Sequence, residues 1–302
     1  MRKSLLLVIT AVALIFPNYS DAVMYGVSGG GEAGTDPGTF MAINEISGAE
    51  TILGTPYGGN GITGVATDAT GRIFGVTSVN NPDGTSHLIE INPVNGSMLS
   101  DIGPMFDASG NGCGVGDLSF QPGTNVLFGL AANNSDVGTR CGIGGSTGGY
   151  LMTINTTTAQ YTIIGRDEGF GNSNGGLAFA PNGTLYFTSC WNNPGSIHTL
   201  NPANANVLTS QALASNDCYM GLAVRPSDGT IFGSYRDESG DNGIYTINPA
   251  TGAETLVGYP GNVMVHDLTF TGCASVPGAG NCFIWIPPVA ICGVPGASQC
   301  QN

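Results

Sequence analysis

The chain has 302 residues and a formal charge of −14; only 9% of its residues are charged, yet it holds 49 glycines. Its one lysine is Lys3, which excludes Schiff-base chemistry in the body of the chain and leaves no basic patch for nucleic acid or an anionic membrane. So much glycine between recurrent apolar runs marks tight turns joining short strands, not a disordered chain.

Residues 1–22 read as a signal peptide. Arg2 and Lys3 make a positive start, Leu5 to Pro17 an apolar stretch, and Ser20-Asp21-Ala22 a small-x-small cleavage site. No later segment reaches the roughly 20 apolar residues of a membrane helix, and no cysteine follows the cleavage point to take a lipid. The expected destination is extracellular, or periplasmic. The mature charge becomes −15, because Arg2 and Lys3 leave with the leader and only Asp21 goes from the acidic side.

From Val23 onward four phrases recur in order. The first is aromatic-rich: Met24-Tyr25-Gly26-Val27, Ile73-Phe74-Gly75-Val76, Leu127-Phe128-Gly129-Leu130, Leu185-Tyr186-Phe187-Thr188 and Ile231-Phe232-Gly233-Ser234. The second ends in Asn44, Asn92, Asn155, Asn201 and Asn248, at spacings of 48, 63, 46 and 47. The third begins near Thr51, Met98, Tyr161, Val207 and Glu254. The fourth opens on a small residue and an apolar pair, at Gly64, Gly116, Gly176, Gly221 and His266. Short alternating strands at this period fit four-stranded antiparallel blades, so the fold expected over 23–270 is an all-β, five-bladed β-propeller. A Cys-containing irregular tail follows over 271–302. The chain enters on a first phrase and leaves on a fourth, so His266–Phe270 should complete the blade begun at Met24 and leave no open edge.

Phrases such as Ile244-Tyr245-Thr246-Ile247-Asn248-Pro249-Ala250-Thr251-Gly252, Thr255-Leu256-Val257-Gly258 and Gly176-Leu177-Ala178-Phe179 resemble the blades of secreted bacterial β-propeller repeat proteins. The likeness covers about 23–270. It implies the fold, and binding or surface roles as readily as catalysis. It carries over no functional residue.

Connections after the second and fourth phrases are short and alike, whereas those after the first and third are long and dissimilar. In an up-and-down blade the dissimilar ones share one face, and variable loops on a rigid scaffold are the usual seat of recognition. Eight cysteines in an exported chain point to disulfides. Cys113 with Cys141, and Cys190 with Cys218, should meet on the variable face; Cys273, Cys282, Cys292 and Cys300 fall in the tail with open connectivity.

Asp117 and Asp267 fall at one repeat position beside His266. One reading is a cation or acid/base site at the channel mouth, completed by Asn174, Asn216 and Asp217. The other is that each aspartate caps the turn into its strand. His198 aligns with Met41, Ile89, Met152 and Tyr245 and reads as a packed strand residue; His87, beside Asp83, reads as solvated. Asp237 and Asp241 alternate in an acidic loop with oxygen ligands suited to calcium, without the glycine and distal glutamate of an EF-hand. Trp191, Tyr219 and Tyr57 are aromatics that could stack on sugars. No G-x-S-x-G, phosphate-loop or H-E-x-x-H motif occurs. Phe283-Ile284-Trp285-Ile286-Pro287-Pro288 could pack on its own propeller or add as a strand to another copy.

The leading functional reading is a secreted binding or surface-interaction propeller that takes a carbohydrate or protein ligand on its variable face, with no cofactor beyond the calcium candidate. The alternatives are an extracellular hydrolase or lyase with a channel-mouth site, and a structural subunit of an extracellular assembly.

Overall fold

The structure, a computed structural model, describes residues 22–29, 37–79, 83–131, 141, 149–166, 175–189, 195–215, 218–236, 242–261 and 263–271, with backbone alone at 218 and 236. Within them, twenty strands form five four-stranded antiparallel sheets. Blade two is β4 (Ile62–Thr67), β5 (Ile73–Thr77), β6 (His87–Ile91) and β7 (Met98–Pro104). Blade three is β8 (Val115–Gln121), β9 (Val126–Ala131), β10 (Tyr150–Ile154) and β11 (Tyr161–Gly165). Blade four is β12 (Leu177–Phe179), β13 (Leu185–Ser189), β14 (Ser196–Leu200) and β15 (Val207–Ala212). Blade five is β16 (Cys218–Val224), β17 (Ile231–Arg236), β18 (Asn242–Ile247) and β19 (Glu254–Gly258).

Blade one joins the two ends of the repeat. β1 (Val23–Val27), β2 (Phe40–Ile43) and β3 (Glu50–Gly54) are completed by β20 (Asp267–Thr271), and Tyr25 lies opposite Thr269. The five inner strands β4, β8, β12, β16 and β20 touch one another in a closed ring, which is the expected five-bladed closure.

The repeated residues now have physical reasons. Each terminal Asn of the second phrase caps a hairpin: its Oδ1 accepts the amide two residues on, at 2.8–2.9 Å in all five blades. Its carbonyl accepts a further amide from a left-handed residue, namely Gly48, Gly96, Ala159, Ala205 or Gly252. Ala159 and Ala205 bear that conformation with a methyl group, and both methyls are buried between blades. The glycine of the first phrase makes room for the isoleucine before the Asn. A Cβ at Gly26, Gly75 or Gly129 would come within 2.6–2.9 Å of Cδ1 of Ile43, Ile91 or Ile154 in its own blade. Blade four departs from this pattern, with Phe187 in place of the glycine and Leu200 in place of the isoleucine.

The core is divided into five apolar clusters, one per blade–blade interface. Strand alternation explains the division: Ile73 faces blade one while Phe74 and Val76 face blade three. Each fully buried aliphatic or aromatic side chain contributes roughly 1.5–3 kcal/mol, so the blades are held chiefly by their neighbours. The disulfide Cys113–Cys141, with Cα atoms 4.4 Å apart, ties the approach to β8 to the connection between β9 and β10.

At one level the inner strands come closest. Register with the first-phrase strands aligns Gly64, Asp117, Gly221 and Asp267, and Gly176 immediately before β12 takes the same place. All three positions without aspartate are therefore glycine. A Cβ on Gly221 would lie 2.4 Å from Asp267 Cα, and one on Gly176 2.5 Å from the Leu222 nitrogen.

Gly221→Ala should therefore cost about 1–3 kcal/mol by overpacking against backbone. Gly75→Ala, which meets side-chain carbons of Ile91 and Ile62 and no backbone, should cost less; urea unfolding of both variants measures the difference. A second expectation concerns Cys190, which lies outside the described residues. Thr188 Oγ1 donates to the Tyr219 carbonyl at 3.0 Å, so a residue two before Cys190 contacts the neighbour of Cys218 across two blades. Non-reducing peptide mapping should recover Cys190–Cys218 beside Cys113–Cys141; free thiols would contradict it.

Candidate functional site

Asp117 and Asp267 are each 0% exposed. They extend from β8 and β20, the two inner strands that flank β4 in the ring. Asp267 Oδ2 accepts the Val65 amide of blade two at 2.6 Å, and Oδ1 accepts its own neighbour Leu268 N at 2.7 Å. Asp117 Oδ2 accepts the Leu177 amide of blade four at 2.8 Å. Asp117 Oδ1 is buried without a hydrogen-bond partner, and the Asp267 carboxyl is close enough to interact with the Asp117 carboxyl. Each carboxyl thus holds the next blade's inner strand by its main chain, and Ser119 Oγ does the same lower down with Phe179 N at 2.9 Å.

Two adjacent buried carboxyls do not both ionise. Burial first, and then the charge of Asp267, holds Asp117 well above the ordinary carboxylate range. Burial also raises Asp267, but the amides of Val65 and Leu268 and the hydrogen bond from Asp117 favour its charged form. The protonated form is therefore favoured more strongly at Asp117 than at Asp267. This arrangement favours the capping reading of both residues, since neither reaches solvent and three of their four oxygens accept backbone amides.

His266 sits half-buried just before Asp267. Its backbone N–H donates to the Val27 carbonyl at 2.7 Å, and its Nδ1 lies 2.9 Å from the Thr63 carbonyl, which makes Nδ1 the protonated nitrogen. The other proposed members of a channel-mouth set, Asn174, Asn216 and Asp217, lie outside the described residues, as do Trp191, Asp237, Asp241, Cys190 and the four tail cysteines. Tyr219 is no sugar platform: it is 0% exposed and packs edge to face or tilted against Tyr245 and Tyr235 between blades. His198 is the packed strand residue expected, buried against Phe187 with its nitrogens near Ser210 Oγ and Ser189 Oγ.

A second polar cluster stands at the edge of blade two, and His87 is at its centre instead of being solvated. Its Nε2 is 2.8 Å from Asp83 Oδ2, and its Nδ1 is 3.0 and 3.1 Å from the two Asp101 oxygens. Tyr57, from the connection between blades one and two, places its hydroxyl 3.2 Å from both His87 Nδ1 and Asp101 Oδ2. The two carboxylates outweigh a 16% exposed imidazole, and both His87 and Tyr57 are shifted upward, Tyr57 to about 12 by burial and then by Asp101. The signal was present in the sequence only as strand register: β6 and β7 pair so that His87 meets Pro104, and the intervening register shifts bring Asp101 alongside. Among the described residues no three His, Cys, Asp or Glu side chains converge as metal ligands.

No protein-family model matches the chain, and no curated protein matches it in sequence. Solved structures do match. One is a protein provisionally named a gluconolactonase, at 15% identity and a TM-score of 0.48, over 82% of this chain and 84% of that one. Another is the Kuenenia stuttgartiensis hydrazine synthase, at 12% identity and 0.42, over 65% of this chain and 49% of that one. A third is a Bacteroides caccae protein of unknown function, at 12% identity and 0.46, over 83% and 99%. At these identities no activity passes from them to this chain.

The Asp117–Asp267 pair gives a pH test. A pKa raised by folding contributes stability that is complete below the unfolded value of about 4 and lost as pH rises through the folded one. Asp68 and Asp228 are shifted down and act in the opposite sense, so the pair is read as a difference between variants. Asp117→Asn keeps a donor towards Asp267 and removes the Asp117 titration; its melting temperature should gain on wild type as pH rises above about 4. Asp267→Asn sets an amide NH2 against a backbone N–H and should lose about 1–3 kcal/mol at every pH.

Proposed function

We propose that this chain is an exported binding module that recognises a carbohydrate or protein ligand through its variable loop face. The observation that carries this reading is the state of the inner ring. The carboxyls that would serve an acid/base mechanism at the channel mouth are wholly buried and engaged with the amides of neighbouring blades. They act as fasteners of the scaffold, which leaves recognition to the loops.

Those loops differ from blade to blade in length and composition, while the Asn-capped hairpins are nearly identical. They are rich in Gly, Asn, Ser and Asp, with Trp191 among them. Short polar groups beside an aromatic face suit the hydroxyls and apolar faces of sugar rings. The high negative charge and lack of lysine in the mature chain favour a neutral ligand over an anionic one. The leader-like residues 1–22 and the cysteine content support export.

The test is a glycan array probed with the purified protein, repeated with Trp191→Ala and Asp117→Asn. Binding should appear for at least one glycan class, fall at least tenfold in Trp191→Ala, and persist in Asp117→Asn. Loss of binding in a folded Asp117→Asn variant, or release of cleaved sugar products by wild type alone, would overturn the reading in favour of a channel-mouth hydrolase or lyase.

A further inference from the structure

We infer that Tyr57, His87 and Asp101 form a binding site for a single divalent first-row transition-metal ion, with Zn2+ as the reference ion, and that Asp83 orients the histidine for it. The site lies at the rim of blade two and is separate from both the buried aspartate pair and the loop residues invoked for ligand recognition.

Three donor atoms from three separate stretches of chain face one another. His87 Nδ1, Asp101 Oδ2 and the Tyr57 hydroxyl make a triangle with edges of 3.0, 3.2 and 3.2 Å. An ion bonded at about 2.0–2.2 Å to nitrogen and oxygen ligands holds its neighbouring donors at about this separation. The second Asp101 oxygen, 3.1 Å from Nδ1, allows the carboxylate to bind through one or both oxygens.

The other side of the ring supplies an independent observation. His87 Nε2 lies 2.8 Å from Asp83 Oδ2. A metal-bound histidine characteristically gives its remaining ring N–H to a carboxylate, which fixes the tautomer and ring plane and raises the basicity of the ligating nitrogen. Asp83 occupies that role, and it is itself held by the Thr85 amide at 3.1 Å. With Nε2 protonated towards Asp83, displacement of the Nδ1 proton by an incoming ion would leave the Nδ1 lone pair on the side of Asp101 and Tyr57.

Access and charge agree. Asp83 and Asp101 keep about a third of their side-chain surface exposed, at 35% and 32%. Gly58 and Gly59, next to Tyr57, have open space where a Cβ would stand. Two carboxylates around a single imidazole leave a net negative cluster whether or not the ring is protonated, and a dication that displaces the Nδ1 proton would neutralise it. An imidazole, a carboxylate and a phenol favour Zn2+ or Co2+ over calcium, which takes oxygen ligands throughout. Because the set contains only two side chains of the His, Cys, Asp and Glu types converging on one point, it differs from the familiar carboxylate–imidazole clusters.

Titration calorimetry with Zn2+ on the full mature protein should show one site. Binding should weaken by more than a hundredfold in His87→Ala and in Asp101→Asn, and by about 10–100-fold in Asp83→Asn. Co2+ added to wild type should give visible d–d absorption that His87→Ala abolishes. Tyr57→Phe should perturb that spectrum while leaving Zn2+ bound more weakly. Asp101→Asn alters an exposed position and keeps the fold, so it decides the matter if His87→Ala melts early. Absence of Zn2+ binding to wild type at millimolar ion, or unchanged binding in Asp101→Asn, would overturn the inference.

Discussion

The convergence of five inner strands at one level is the constraint on which the rest of the molecule depends. Strands that close leave no space for five ordinary side chains, and Gly64, Gly176 and Gly221 are the response. The remaining two places carry aspartates whose oxygens reach sideways to the amides of Val65 and Leu177. Crowding that would be a liability thus becomes a joint. Main-chain amides that have no ladder partner inside their own blade find one in the next, and burial of the carboxyls makes those hydrogen bonds strong and their loss costly.

Outside that level, cohesion passes to the apolar interfaces, and their logic is modular. A glycine in one strand admits an isoleucine from the strand beside it, an asparagine closes the hairpin, and a left-handed residue settles between blades. Blade four shows the tolerance of the scheme. There Phe187 stands in place of the glycine and Leu200 in place of the isoleucine, and a buried histidine, His198, is accommodated by flanking serine hydroxyls.

Most of the fold was legible in the sequence because blade geometry acts through local rules. The terminal Asn residues, the Gly of Tyr-Gly and Phe-Gly, and the period near 47 each report one turn or one close approach. The closing of β20 on β1 was readable for the same reason, since it is the only partnering that leaves each blade with four strands. The polar sites were less legible. Asp117 and Asp267 could be aligned, but their burial depends on how tightly a five-membered ring contracts, which no local phrase encodes. Tyr219 looked like a loop aromatic because it precedes an inner strand, yet the neighbouring blade encloses it. His87 meets Asp101 only through bulged register between β6 and β7, and its contact with Tyr57 crosses a blade boundary.

The seam in blade one has a consequence for how the molecule is made. Residues 23–27 pair with residues 267–271, so the contact of longest sequence separation is also the one that shuts the ring. A chain growing from its amino end can complete blades two to five in turn, each from contiguous sequence, while its first three strands wait for a partner that arrives last. Any product truncated before Asp267 lacks both the inner strand of blade one and the carboxylate that secures blade two. Closure of the ring is therefore a single structural event, and interrupted copies would present an open, adhesive strand edge.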